Sequence, residues 1–326
     1  MAQLNTAPES LAASTALPGK GNGALPYFIL GAAVLIVSSA AIMIRFAQRE
    51  GVPSLSIAAM RLALAAIILT PIAFARNGSE IRALTRRDML LGITAGVFLA
   101  AHFASWISSL AYTSVASSVA LVTTNPIWIA VASWLIFKER PRIGLALGIA
   151  FAIGGSALIF LSDSQVSSAG GNAPLLGNAL AVVGSLTICG YLLIGRGLRG
   201  RLSLLPYIWL VYSAAAAALV LLVLVTGNPL SGFSHFAWLM LFGLAIGPQL
   251  LGHSAINWAL KYVSASFIAV VVLGEPIGSA LLAWLLLGEG FAGLQLGGFA
   301  LLLIGIYLAA RNERREIVTE AAAVAE

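Results

Sequence analysis

Ten apolar runs, each close to twenty residues long, fix what this chain of 326 residues can fold into. A helix needs about twenty residues to cross roughly 30 Å of hydrocarbon. The runs lie near 26–47, 54–75, 88–110, 115–137, 141–161, 174–196, 204–226, 236–260, 264–287 and 290–310. In lipid every backbone N–H and C=O must be satisfied inside the protein, which leaves helices or a closed barrel. The period-two alternation of barrel strands is absent, so the expected fold class is an all-α integral membrane protein of ten transmembrane helices. Charge usage agrees: 9% of the residues are charged, against about 25% in an average soluble domain. The connections are short, so successive helices run antiparallel; the longest polar ones are 76–87 and 162–173.

Lys and Arg set the orientation. On the side of the N-terminus fall Lys20, Arg76, Arg82, Arg86, Arg87, Lys138, Arg140, Arg142, Arg196, Arg199, Arg201, Lys261, Arg311, Arg314 and Arg315. Arg45 and Arg49 stand on the other side, and Arg61 lies within the second run. Cytoplasmic loops carry the excess of basic residues, which places both termini of this multi-pass chain in the cytoplasm and the chain in the cytoplasmic membrane. The same scatter of bases argues against a nucleic-acid partner. Residues 1–25 are rich in Ala, Ser, Pro and Gly, without an apolar period or the basic start of a signal peptide, and are expected to be a disordered tail. Residues 311–326 form a charged, then Ala-rich, cytoplasmic tail.

The runs are not independent. Leu110 to Glu139 returns as Leu260 to Glu289, with ten of the thirty positions identical. Matches among Leu, Val and Ala mean little in so apolar a chain. Tyr112/Tyr262, Pro126/Pro276, Trp134/Trp284 and Glu139/Glu289 involve residues used sparingly, and the register continues through Gly148/Gly298 and Gly155/Gly305. The chain is two copies of one unit, expected at 26–161 and 174–310 and joined by an external linker at 162–173. Each copy holds five helices, an odd number, so the second enters the membrane inverted. The bases follow: Lys138 and Arg140 flank Glu139, Gly288 and Gly290 flank Glu289, and Lys261 stands where the first copy has Ala111.

Certain residues carry a resemblance. In the first copy they are Tyr112-Thr113-Ser114, Pro126 and the ending Trp134 to Glu139; in the second, Tyr262, Leu273-Gly274-Glu275-Pro276 and Trp284 to Gly288-Glu289. With Arg61 on the second helix and Arg45 near the end of the first, the chain resembles the drug/metabolite transporter superfamily, in particular its EamA-type permeases of two five-helix repeats. The Trp common near the middle of the first helix is absent from Val34–Ala41. The resemblance spans roughly residues 26 to 310. It implies a secondary transporter moving a small metabolite, such as an amino acid or related compound, out across the membrane by alternating access.

Intramembrane polar residues are costly and are candidates for function. Gln249, His253 and Asn257, spaced four apart, share one face of the eighth helix. His102, Ser105, Trp106 and Ser109 share one face of the third. The two faces are expected to meet across a substrate cavity; the alternative is that each His bonds a neighbouring helix. Arg61 either holds a substrate carboxylate or snorkels to an interface. Glu275 precedes Pro276, where the first copy has Asn125-Pro126, and either carries a coupling proton or serves a structural kink. Tyr191 and Trp106 stack on a ring or pack. Gly144/Gly148 and Gly293/Gly297 are expected to let helices approach closely, and Glu139 and Glu289 to meet the positive ends of the helices that follow them.

Enzyme readings find little support: the chain lacks a glycine-rich phosphate loop, an H-E-x-x-H motif and a nucleophile elbow, and for the alternative of an intramembrane hydrolase His102 with Ser105 is the only, weak, candidate. The lone Cys189 builds neither a disulfide framework nor a Cys-based metal site, and two His fall short of a zinc shell, so no cofactor is expected. A channel is the other class, but no repeated filter sequence or ring of charge is visible. Lipid and a small molecule are the expected partners, with protons as the candidate coupling ion. Oligomeric state is not encoded in any motif.

Overall fold

A computed structural model describes residues 24–137, 143–163, 173–288, 293–294 and 296–308. Among these every regular element is a helix. They are α1 (Leu25–Arg49), α2 (Ser54–Arg82), α3 (Arg86–Ser109), α4 (Val115–Val122 and Asn125–Phe137), α5 (Ile143–Asp163), α6 (Pro174–Arg199), α7 (Leu204–Val225), α8 (His235–Ala259), α9 (Ala265–Val272 and Glu275–Leu287) and α10 (Leu296–Leu308). Seven stretches among the described residues are long and apolar enough to cross a membrane: α1, α2, α3, α6, α7, α8 and Phe267–Leu287 within α9. Three shorter apolar helices accompany them at Val115–Ile129, Ala146–Leu158 and Leu296–Leu308. Large apolar side chains such as Phe28, Leu35, Ile67, Leu175, Leu221, Leu239 and Leu303 point outward and are more than half exposed, as lipid-facing residues are. Glu139, Glu289, the C-terminal tail, most of the 162–173 linker and nearly all of the N-terminal tail fall outside the described residues.

Local chemistry starts and stops the helices. Thr85, Ser114, Ser234 and Ser264 accept hydrogen bonds at their side-chain oxygens from Asp88, Ser117, Ala237 and Phe267 N–H, capping α3, α4, α8 and α9. The stretch 76–87, read as a polar connection, is mostly helical. α2 runs on to Arg82 past one irregular residue, Asn77, and only 83–85 remain as the turn. Polar residues can stay helical there because a helix satisfies its own backbone whatever its side chains are.

The duplication is visible as paired features 150 positions apart. α4 breaks at Thr123–Thr124 and α9 at Leu273–Gly274. Each second segment then begins immediately before a proline, Pro126 or Pro276, whose missing N–H is tolerated in a first turn. α5 and α10 meet through reciprocal glycine contacts. A β carbon on Gly155 would stand 2.6 Å from the Gly298 carbonyl oxygen, and one on Gly305 would stand 2.6 Å from the Gly148 oxygen. Such exchange, with i touching j and the copy of i touching the copy of j, marks a two-fold relation. Of the glycines expected to allow close approach, Gly148 takes part through its carbonyl, whereas Gly293 has open space around it and Gly297 meets only a Leu158 methyl at 4.0 Å. The touching glycines are seven apart, two helical turns, rather than four.

A third paired feature closes both ends of the bundle. Gln48 of α1 donates through Nε2 to the Ile107 carbonyl of α3 at 3.0 Å, and Arg199 of α6 donates through Nε to the Asn257 carbonyl of α8 at 3.1 Å. Ile107 and Asn257 are equivalent positions of the two copies. Arg199 also donates through Nη1 to the Leu202 carbonyl.

Candidate functional site

Both helix breaks open on one cavity. It is lined by Thr123 and Asn125 from α4, Val272 and Glu275 from α9, His102 and Trp106 from α3, His253 from α8, Val37 and Ala40 from α1, Val122 and Ile188. Asn125 and Glu275 are the first residues of their helical segments, so each stands at the positive end of a short helix. α1 seals against α9 here. The Ser279 hydroxyl donates to the Ser38 carbonyl at 3.0 Å, and a β carbon on Gly278 would fall 2.3 Å from Ser38 Oγ.

On the α3 wall, His102 Nδ1 donates to the Gly184 carbonyl at 2.9 Å, which leaves Nε2 of the neutral ring as its acceptor. Its ring lies nearly parallel to that of Trp106, 17° between planes and 5.9 Å between centroids. Trp106 is buried, and its Nε1 has no hydrogen-bond partner among the described residues. His253 meets the Phe103 ring edge-on with 5.4 Å between centroids. Phe103 thus separates the cavity wall from Arg61, whose guanidinium carbon sits 4.1 Å from the Phe103 ring centroid, within cation–π range.

Arg61 does not snorkel. It is fully buried, and its Nε donates to Gln249 Oε1 at 2.8 Å across the α2–α8 contact. Its Nη1 and Nη2 have no partners among the described residues. No carboxylate among the described residues is in contact with it.

The sequence-predicted residues therefore divide. His102, Trp106, His253 and Glu275 come together on the cavity wall. Gln249, Asn257, Tyr191 and Arg61 stand behind it, joined by side-chain bonds between helices. Tyr191 of α6 donates to Asn257 Oδ1 at 2.6 Å, Asn257 Nδ2 donates to Tyr212 Oη of α7 at 3.2 Å, and the Tyr212 hydroxyl lies 3.4 Å from that of Ser254.

The division follows from helix geometry. Ala245–His253 is a π-helix with Pro248 inside it. A proline has no N–H to bond the preceding turn, and the wider turn absorbs that loss. Gln249 meets Arg61 of α2, Asn257 meets Tyr191 and Tyr212, and His253, between them, faces the cavity. Phe103, Asn125, Thr123, Tyr212 and Arg199 were not among the expected site residues. Phe103 carries no polar signature, Tyr212 sits with Tyr207 in an apolar run, and Arg199 reads as a loop charge. Asn125 alone had a signal, the proline after it.

Comparison with known proteins agrees with the duplicated geometry. The profile of the EamA-like transporter family matches residues 25–161 and again 175–311, the same 150-residue offset. An uncharacterized transporter of Archaeoglobus fulgidus is 23% identical over 82% of this chain and 90% of its own. The uncharacterized transporter YxxF of Bacillus subtilis is 20% identical over 71% and 73%. One from Synechocystis sp. is 24% identical over 61% of this chain, and the match spans 60% of that relative's length. A solved crystal structure superposes with a TM-score of 0.71 over 90% of this chain and 98% of its own; at 20% identity this shows a shared fold. Matched by the profile over both halves, the chain belongs to the EamA-like transporter family and is a membrane transporter by descent.

Proposed function

We propose that this chain is a secondary carrier of the cytoplasmic membrane which moves a small metabolite by alternating access. The observation that carries the reading is that two equivalent helix breaks, one from each copy, open on the same cavity, a mostly apolar space with a few polar side chains on its wall. Carriers built from inverted repeats place their sites at such discontinuous helices, and rocking of one copy against the other exposes the site to each side in turn. In this reading the shorter apolar helices complete ten crossings. The two inverted repeats, 26–161 and 174–310, are joined by an external linker at 162–173, and tails 1–25 and 311–326 lie in the cytoplasm. The basic residues named above support that orientation, and the family supports export of an amino acid or related compound. His102, Trp106 and His253 contact the substrate; Arg61, Gln249, Asn257 and Tyr191 shape the site from behind; Glu275 is the coupling group, with protons as the candidate ion.

Counterflow in proteoliposomes tests the carrier. A preloaded metabolite that accelerates entry of its labelled form, with saturation, supports it, because a carrier returns faster when loaded. Flux that rises linearly with concentration and shows no counterflow sinks it and favours a channel.

A further inference from the structure

The two copies are interlaced rather than set side by side. α1 packs on α8 and α9 of the other copy. The Ser279 hydroxyl donates to the Ser38 carbonyl, the Ser38 hydroxyl lies 3.4 Å from the Glu275 carbonyl, and a β carbon on Gly252 would stand 2.5 Å from a Val37 methyl. α6, the equivalent of α1, packs in the same way on α3 and α4 of the first copy. The Cys189 thiol donates to the Asn125 carbonyl at 3.5 Å, the Thr124 and Ser185 hydroxyls are 3.0 Å apart, and His102 bonds the Gly184 carbonyl. Glu275 and Asn125 are equivalent positions, so each first helix holds the main chain at the break of the other copy's fourth helix.

The cavity wall divides along the same line. Val37, His253 and Glu275 come from α1, α8 and α9; His102, Asn125 and Ile188 come from α3, α4 and α6. Hydrogen bonds between these two groups stand toward the ends of the bundle. Gln48 and Arg45 of α1 donate to the Ile107 and Thr113 carbonyls at one end, and Arg199 and Tyr191 of α6 bond Asn257 of α8 at the other. Between them lie the cavity and ring contacts such as His253 on Phe103. Close-packed groups of helices shift as units, because a packed interior does not deform continuously.

We propose that the moving units of this carrier are interlaced: α1 travels with α8 and α9, α6 travels with α3 and α4, and the cavity is the seam between them. The inference rests on the carrier reading and replaces the rocking of one whole copy against the other. Pairs of equivalent helices sit about the two-fold axis and serve as pivots. α2 and α7 stay joined along their length: the Ser56 hydroxyl donates to the Pro229 carbonyl at 2.7 Å, Trp209 Nε1 to Thr70 Oγ1 at 3.2 Å, and the Ser203 N–H to Glu80 Oε1 at 2.7 Å.

The experiment asks which helices can be bonded together without ending access to the cavity from both sides. In full-length protein with Cys189→Ala, His253→Cys on the cavity wall is the reporter. A charged, membrane-impermeant methanethiosulfonate is applied to vesicles of either orientation, and its addition is read as mass on the peptide that carries position 253. Thr124→Cys with Ser185→Cys bonds α4 to α6, and Ser38→Cys with Gly278→Cys bonds α1 to α9. Both disulfides cross from copy to copy but lie within one moving unit. Arg45→Cys with Thr113→Cys, bridged by a bifunctional thiol reagent as long as an arginine side chain, stays within one copy and crosses the seam. Each protein before bonding is its own control.

Either disulfide is expected to leave position 253 reactive from both sides at an unchanged rate, and the Arg45/Thr113 bridge to abolish reaction from one side. The proposal is overturned if either disulfide confines reaction to one side, as whole-copy rocking requires, or if the bridged protein still reacts from both. Where the Ser38/Gly278 protein does not fold, the Thr124/Ser185 pair decides alone. Reaction from one side before any bonding would overturn the carrier reading and this inference with it. Reaction from both sides that the α4–α6 disulfide abolishes would remove the interlaced units and leave the carrier standing.

Discussion

Gly155 lies so close to Gly298 that a β carbon on it would press 2.6 Å from that residue's carbonyl oxygen, and the main-chain N of Leu302 would be 2.9 Å away. Both neighbours are backbone, so neither can turn aside. Gly155→Ala must push α5 and α10 apart, and the equivalent Gly305→Ala must do the same from the other side. Each should cost about 1–3 kcal/mol, the usual penalty for overpacking. Gly293→Ala, with nothing within 4 Å, should melt like wild type. Melting temperatures of the three variants in one detergent decide it; equal stability of all three would remove the close approach.

Asn257 and His253 should part company on mutation. Asn257 is fully buried and bonds Tyr191 and Tyr212 through its side chain, so Asn257→Ala leaves two buried hydroxyls short of a partner. A loss of about 2–3 kcal/mol is expected. His253 is half-buried on the cavity wall, and His253→Ala should lower flux while melting within about 1 kcal/mol of wild type. Unfolding midpoints measured beside transport test this, and the reverse pattern would exchange the two assignments.

Gln249 is the only side chain that holds Arg61 by a hydrogen bond among the described residues. Gln249→Leu keeps the bulk and leaves a buried guanidinium with one acceptor fewer. The expected loss is about 1–3 kcal/mol, and Gln249→Glu, which restores the acceptor and adds a counter-charge, should recover most of it.

Orientation is open to labelling. In a Cys189→Ala background, Ala83→Cys should react with an impermeant thiol reagent only from the cytoplasm, and Ser231→Cys only from outside. Both positions are exposed, so access to reagent is not limited by packing. Reaction of both from the same side would overturn the antiparallel path between them.

Much of the fold was legible because two of its signals are strong. Apolar runs report helices that must satisfy their own backbone, and Tyr112, Pro126 and Trp134 recur at a fixed offset in a chain that uses those residues sparingly. The prolines also marked where α4 and α9 break, and with them Glu275. The rest depended on geometry that residue spacing assumes. Spacing groups Gln249, His253 and Asn257 on one face, but which of them meets the cavity and which a neighbouring helix depends on how α8 packs among α2, α6 and α7. Small-xxx-small spacing found Gly148 but not Gly155, Gly298 or Gly305, because which turn touches a neighbour is set by the crossing of the helices. The Arg61–Gln249 bond joins residues 188 apart in the chain. No periodicity within either helix contains it.

The two hydrogen bonds that close the ends of the bundle are unequal. Gln48 holds the Ile107 carbonyl with a neutral amide; Arg199 holds the equivalent Asn257 carbonyl with a guanidinium that also reaches Leu202. Bonds from a charged donor are worth about 1.5–3 kcal/mol and neutral ones about 0.5–1.5. An inverted pair of identical copies would leave its two open forms equally populated. Beside Gln48, however, Arg45 of α1 donates through Nη2 to the Thr113 carbonyl at 2.8 Å, so each end of the bundle is also tied by one guanidinium. In the carrier reading the scales of the empty protein are therefore weighted on both sides, and a cargo needs only a small difference in affinity to tip them.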